Sequence, residues 1–167
     1  MKKALPLLLL AIVFTGPLRS HAQWCVPTTA DPYSTSMPGL TRVTVGSIDR
    51  ISLDLENFPN NSYVNTGLST TFTKGQTYPI TLQFTIDAAI ADHMNLRVWI
   101  DLNQDGQLDD PGETLLTVDH VVGSYSATLN IPLTAMTGAT RMRVTAKMCS
   151  HGGHSLPTPC DIPTDPL

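Results

Sequence analysis

Basic residues, aromatic residues and helix-forming patterns are all scarce in this 167-residue chain. Ten Lys and Arg stand against 14 Asp and Glu, and aromatic residues make up 6% of the chain. An acidic chain with so few cations lacks the electrostatic footprint that nucleic acid requires, so nucleic acid is excluded as a partner. No apolar run after Phe14 approaches the length needed to span a bilayer, so no membrane span is expected. Helical periodicity is missing after the first two dozen residues. So are a serine in a nucleophile-elbow context and a zinc motif of the kind carried on a helix. The chain is therefore expected not to be an enzyme.

What is present starts with a leader. Lys2 and Lys3 precede the apolar run Leu5 to Phe14, and Ser20-His21-Ala22 is a small-x-small cleavage site. These features predict a signal peptide over residues 1–22, cleaved after Ala22, and hence a secreted or cell-surface protein. Trp24 directly before Cys25 does not suit a lipid-modified cysteine. Cleavage leaves 145 residues and removes three of the ten basic side chains, so seven cations face 14 acids for a net charge of −7. That length suffices for one domain with its own core, expected over residues 23–167.

Three cysteines, Cys25, Cys149 and Cys160, imply one disulfide and one remaining thiol in an exported protein. Any of three pairings is open. Joining Cys25 to Cys160 would remove more unfolded-state entropy than the local Cys149–Cys160 link, about 4 kcal/mol in the loop model.

Period-two alternation recurs along the chain. Ile80, Leu82, Phe84 and Ile86 alternate with Thr81, Gln83 and Thr85, and Leu96, Val98 and Ile100 point inward with Arg97 and Asp101 outward. The same reading holds for Ala127, Leu129 and Ile131, and for Met142, Val144 and Ala146. Earlier strands are expected over 41–48, 51–55 and 69–73, with breakers at Asn60-Asn61-Ser62, Lys74-Gly75-Gln76, Asp105-Gly106, Pro132 and Thr137-Gly138. Seven to eight short strands with one polar face each indicate an all-β antiparallel sandwich, Ig-like or jelly-roll-like. The proline-rich stretch after Lys147 cannot be a central strand.

The densest chemistry lies in Asp101-Leu-Asn-Gln-Asp-Gly-Gln-Leu-Asp-Asp-Pro-Gly-Glu113. Oxygen ligands at alternate positions, followed by a glycine, are what a short loop offers to a hard cation. Asp101, Asn103 and Asp105 fill the first three ligand positions, the Gln107 carbonyl the fourth and Asp109 the fifth. Glu113 comes one residue later than in a helix-flanked calcium loop. Strands rather than helices flank the segment, so the expectation is a structural Ca²⁺ loop in a β context, with Asp109, Asp110 and Glu113 sharing the last positions. The bland alternative is a solvated acidic turn. Extracellular calcium sites often bind at about 0.1–1 mM. A site whose dissociation constant is one-hundredth of the ambient calcium adds about 2.7 kcal/mol of stability.

Cys149-Ser-His-Gly-Gly-His154, with Cys160, could hold Zn²⁺, but the spacing matches no familiar zinc pattern and export favours a disulfide. His93 and His120, near strand ends, are expected at the surface. Acids crowded into one turn suit a cation better than the paired-carboxylate chemistry of a glycosidase. Trp99 alternates away from Val98 and Ile100. It is expected either under a covering loop or the C-terminal tail, or on the outer face where it could stack on a sugar.

Several motifs together carry a resemblance: Val98-Trp-Ile-Asp-Leu-Asn-Gln-Asp-Gly106, Asp110-Pro-Gly-Glu113, Ile131-Pro and Gly138-Ala-Thr-Arg-Met-Arg-Val144. With Val43-Thr-Val-Gly-Ser-Ile48, Gly75-Gln-Thr-Tyr78 and Trp24-Cys25, they resemble the GEVED domain, a β-sandwich module of secreted bacterial proteins. The resemblance implies a non-catalytic module that accompanies other domains, with an adhesive or ligand-presenting role. It also implies the pairing of Cys25 with Cys160. The family takes its name from a Gly-Glu-Val-Glu-Asp segment opening its last strand, which is absent here. The resemblance therefore implies a chain short of that strand. Two other functions stay open at this point, a calcium-dependent carbohydrate-binding module and an accessory domain of a secreted hydrolase. The ligand, glycan or protein, is unknown.

Overall fold

In the computed structural model, residues 24–29, 39–52, 63–85, 91–150 and 155–162 are described, and the expected leader lies outside them. The chain is an antiparallel β-sandwich. One sheet has the order β3-β2-β4-β7, built from β2 (Leu40–Val45), β3 (Ile48–Ile51), β4 (Thr77–Phe84) and β7 (Ser124–Asn130). The other has the order β6-β5-β8, from β5 (Ala91–Ile100), β6 (Thr114–Val121) and β8 (Met142–Ser150). A short parallel pairing joins β1 (Thr28–Thr29) to β9 (Asp161–Ile162). Among the described residues there is no helix, and so none long and apolar enough to cross a membrane.

The alternation places the core. Val43 and Val45 from β2, Ile80, Leu82 and Phe84 from β4, and Leu129 from β7 meet Met94, Leu96 and Val98 from β5 and Ala146 from β8. A smaller apolar cluster of Ile100, Ile131 and Ala135 closes the end of the sandwich next to the acidic segment. Full burial of one such Leu or Ile stabilises by about 1.5–3 kcal/mol.

Several strand expectations need correction. The run 41–48 is broken by a two-residue turn at Gly46-Ser47, after which β3 pairs back on β2 with Val45 opposite Ile48. Gly46 has a φ of 56°, a left-handed conformation that glycine adopts without steric cost. Of the strand expected over 51–55, only Ile51 is in β3, and residues 53–55 lie outside the described residues, as do Ile86 and Asn60-Asn61-Ser62. Residues 69–73 form no strand. They run beside the β2–β3 turn, where the Thr70 hydroxyl accepts the Ser47 N–H at 3.0 Å.

No period-two pattern marks strand β6 in the sequence. Leu115 and Leu116 are adjacent apolar residues, and the β5–β6 register shifts between Met94 and Leu96 and again between Val98 and Trp99. Those irregularities erase the period-two signal.

The outer face of the three-stranded sheet is also not the solvated face that alternation implies. His93, Asn95 and Trp99 on β5 and Arg143, Thr145 and Lys147 on β8 are all buried. Residues 155–162 lie across them. Asn95 Nδ2 donates to the Ser155 carbonyl at 3.1 Å and Arg97 donates to the Pro157 carbonyl at 3.0 Å. Arg143 donates to the carbonyls of Pro159 and Cys25. The proline-rich tail thus forms a third layer, whose main-chain carbonyls accept hydrogen bonds from Asn95, Arg97 and Arg143 beneath it.

A disulfide between Cys25 and Cys160 fixes that layer, with a Cα–Cα distance of 5.5 Å and a sequence separation of 135. Trp99, 1% exposed, shares a groove with Thr158, Pro159 and Cys160 of the tail, the covered one of its two expected placements. His93 is buried rather than superficial, and its ring stacks on that of the exposed His120 with centroids 4.1 Å apart.

Candidate metal centre

The acidic segment leaves β5 at Ile100 and returns into β6 at Thr114. Its start and end are joined by the Ile100 N–H, which donates to the Glu113 carbonyl at 3.0 Å. The base is further held by β8's approach, where the Asp101 N–H donates to the Arg141 carbonyl and the Thr140 hydroxyl donates to the Asp101 carbonyl. Asp101 is therefore not the outward residue that alternation suggests. Its side chain is 1% exposed, with Oδ1 accepting the Asp105 N–H at 3.3 Å and Oδ2 the Gly106 N–H at 3.1 Å.

The loop folds back on itself through successive side-chain-to-backbone bonds. Asn103 Oδ1 accepts the Asp105 N–H at 3.0 Å, and Asp105 Oδ1 accepts the Gln107 N–H at 2.8 Å. Gly106, with a φ of 89°, makes the reversal between them. The Asn103 amide nitrogen bridges two acids, donating to Asp105 Oδ2 at 3.2 Å and to Asp110 Oδ2 at 2.6 Å. Gln107 is exposed, and its own amide reaches Asp105 Oδ2 at 3.3 Å. The Asp105 carboxyl is held below the usual aspartate range, first by the Gln107 backbone N–H.

Glu113 closes the segment from beneath. It is 2% exposed, and Oε1 accepts the N–H groups of Leu102 at 2.8 Å and Asn103 at 3.3 Å. Its second oxygen, Oε2, is buried with no hydrogen-bond partner. Burial pushes its carboxyl above the usual range against those two N–H groups, and the charges of Asp101 and Asp110 push in the same direction. A buried carboxylate oxygen without a donor is costly, and a cation is the partner that would compensate it.

Of the expected ligands, Asp101, Asn103, Asp105, Gln107 and Glu113 are thus drawn into one folded loop. Asp109 is not. It is exposed and borders the groove of Arg97, Trp99 and Thr114, while Asp110 takes the place beside Asn103. Among the described residues, no three His, Cys, Asp or Glu side chains converge as a preformed metal cluster. Asn103 Nδ2 stands between the carboxylates of Asp105 and Asp110, so bringing them onto a cation requires that amide to turn. Thr140, which fixes the Asp101 carbonyl from 39 residues away, carried no signal that sequence reasoning could have used.

The alternative zinc cluster fares differently. Cys160 is committed to the disulfide, and His151 and His154 lie outside the described residues. Cys149 is buried, its thiol directed at the carbonyls of Lys147 and Ser155.

These elements — β5, the acidic loop, β6, β7, β8 and the covering tail — form one continuous stretch of sequence. Residues 95–165 match the GEVED domain. The GEVED match thus contains the acidic segment, nearly all of the three-stranded sheet and Cys160, whereas Cys25, β2, β3 and β4 precede it. No curated protein and no solved structure matches the chain.

Proposed function

We propose that the protein is a secreted, non-catalytic β-sandwich module stabilised by calcium, serving adhesion or ligand presentation at a bacterial cell surface. The observation that carries the calcium reading is Glu113: a carboxylate 2% exposed, beneath a loop rich in acids, with Oε2 lacking any donor. Asp101, Asp105 and Glu113 would hold the ion, with Asn103, Asp110 and the Gln107 carbonyl completing an oxygen set of the kind that calcium takes. Bound there, calcium supplies positive charge to mutually repelling carboxylates and ties the end of β5 to the start of β6. It supplies structure rather than chemistry.

The absence of a catalytic role rests on what each side chain does. The loop acids accept hydrogen bonds from their own backbone, and Glu113 faces inward. Export is supported by the disulfide, which oxidising compartments favour, and by the leader pattern in the sequence. Trp99 is buried beside the tail and offers no face to a sugar, so the carbohydrate-binding reading loses the residue that suggested it.

Isothermal titration of calcium into chelator-stripped protein tests the reading, with Asp105→Ala alongside. Saturable binding of one ion, lost in the variant while its circular dichroism is kept, is the expected result. Heats no larger than those of magnesium at equal ionic strength would reduce the segment to a solvated turn.

A further inference from the structure

Trp24 and Cys25 are fastened to the three-stranded sheet by side chains far away in sequence. The guanidinium of Arg141 lies over the Trp24 ring, 5.3 Å from its centroid. Cys25 is tied to Cys160 by the disulfide, and its carbonyl accepts from Arg143 Nη2 at 2.6 Å. Trp24 is half-buried and Arg143 is buried. The segment that begins at Trp24 is therefore held in one place rather than left to trail from the domain.

The setting is electropositive. Among the described residues neither arginine forms an ion pair with a carboxylate. Neutral groups hold them instead: the Tyr63 hydroxyl accepts from Arg141 at 3.0 Å, and the Cys25 and Pro159 carbonyls accept from Arg143. Burial pushes the Arg143 guanidinium below its ordinary range against the opposing effect of Tyr63, and the charge of Arg141 pushes the same way as burial. A further cation beside the pair adds to that repulsion.

Removal of the leader after Ala22 creates such a cation. It makes Gln23 the first residue, with a free α-ammonium, one Cα step of about 3.8 Å before Trp24. Before cleavage the Gln23 nitrogen belongs to a peptide bond and is no nucleophile. After cleavage it is an amine, and the carbonyl of its own side chain lies within reach of a five-membered ring closure.

We infer that Gln23 is a modification site: freed by leader cleavage, it cyclises to 5-oxoproline and caps the mature chain with a neutral lactam. The deprotonated α-nitrogen attacks Cδ, the new N–Cδ bond closes the ring, and the Cδ–Nε2 bond breaks. Nε2 leaves as ammonia with one proton from the α-nitrogen, so nothing is oxidised or reduced and no co-reactant is consumed. The cap removes a positive charge from beside Arg141 and Arg143. It also denies aminopeptidases the free amine through which they would reach Trp24 and strip the ring from Arg141. The inference rests on the export reading above and is independent of calcium binding.

The test is mass spectrometry of the protein isolated from the cells that produce it, read on the tryptic peptide from Gln23 to Arg42. A synthetic free-amine peptide of the same sequence goes through the same handling. The natural peptide is expected to begin at Gln23 and to be lighter than the synthetic one by one ammonia, about 17 Da. A peptide that begins at Gln23 with its amine free overturns the inference and leaves export intact. An uncleaved leader, or a terminus at any other residue, overturns it together with the assigned cleavage bond. Free-amine protein secreted from a host without glutaminyl cyclase supplies a second readout. Treated with that enzyme, it should melt about 1–4 °C higher at low salt and pH near 6. The gap should shrink in high salt and above about pH 9, where the ammonium has lost its proton. Equal melting of the two forms at low salt would overturn the electrostatic basis of the inference.

Discussion

Replacing Glu113 by Gln separates the two roles assigned to that side chain. The amide oxygen keeps the acceptor for the Leu102 and Asn103 N–H groups, now 2.8 and 3.3 Å from Oε1. The amide nitrogen replaces Oε2, the buried oxygen that has no donor, and removes a negative charge that Asp101 and Asp110 oppose. The amide nitrogen also lacks a partner there, so the gain comes from exchanging a buried charged group for a neutral one, whose desolvation is less costly by about 1–3 kcal/mol. In a chain of this size each kcal/mol moves the melting temperature by about 2–4 °C. In excess chelator, therefore, Glu113→Gln should melt higher than the natural protein by about 2–12 °C. Calcium at one hundred times the dissociation constant should add about 2.7 kcal/mol to the natural protein. It should add far less to the variant, which has lost a ligand charge. The stability order of the two proteins then inverts, or nearly so, between chelator and calcium. Scanning calorimetry in chelator, calcium and magnesium at constant ionic strength reads this directly, with magnesium controlling for general screening of the acidic loop. A variant less stable than the natural protein in chelator, with an undiminished calcium increment, would refute the assignment of Glu113 as an uncompensated ligand.

Other expectations rest on different parts of the molecule. Cys160→Ser should destabilise by about 4–5 kcal/mol, because the disulfide closes a loop of 135 residues, and should expose Trp99. A fall in melting temperature with a red shift of tryptophan emission checks both. Gly46→Ala should cost more than about 1 kcal/mol, from its left-handed φ alone. A methyl group there also meets the Thr70 hydroxyl, and urea denaturation measures the total. Asp49 is held below the ordinary aspartate range by its hydrogen bonds from Arg42. A lowered folded-state pKa means that its contribution is present above the unfolded pKa and is lost as pH falls through the folded one. A carbon-detected NMR titration should show that depression, and Arg42→Ala should return Asp49 to the ordinary range.

Sequence pattern was most informative where an element obeyed one period and answered to one neighbour. In β4 and the inner row of β5, alternate apolar residues became the core because a two-layer sandwich needs one apolar face per sheet. The composition of the acidic segment likewise determined its loop, since Asn103, Asp105 and Gly106 build their turns from hydrogen bonds within a few residues. The Cys25–Cys160 pairing was legible only through family resemblance, as three cysteines by themselves left every pairing open.

The tertiary structure decided whatever depended on distant segments meeting. Burial of Asp101 needed Thr140 and Arg141 brought against the end of β5. Strand β6 needed two register shifts that no local pattern records. The outer row of the three-stranded sheet, from His93 to Lys147, looks solvent-facing in sequence because it is polar. It is buried because a tail anchored by the disulfide lies over it, with the Ser155 and Pro159 carbonyls accepting from Asn95 and Arg143. Local patterns record which face of a strand is apolar. Whether a polar face meets water or another layer depends on where a remote piece of chain comes to rest, and only the folded molecule sets that.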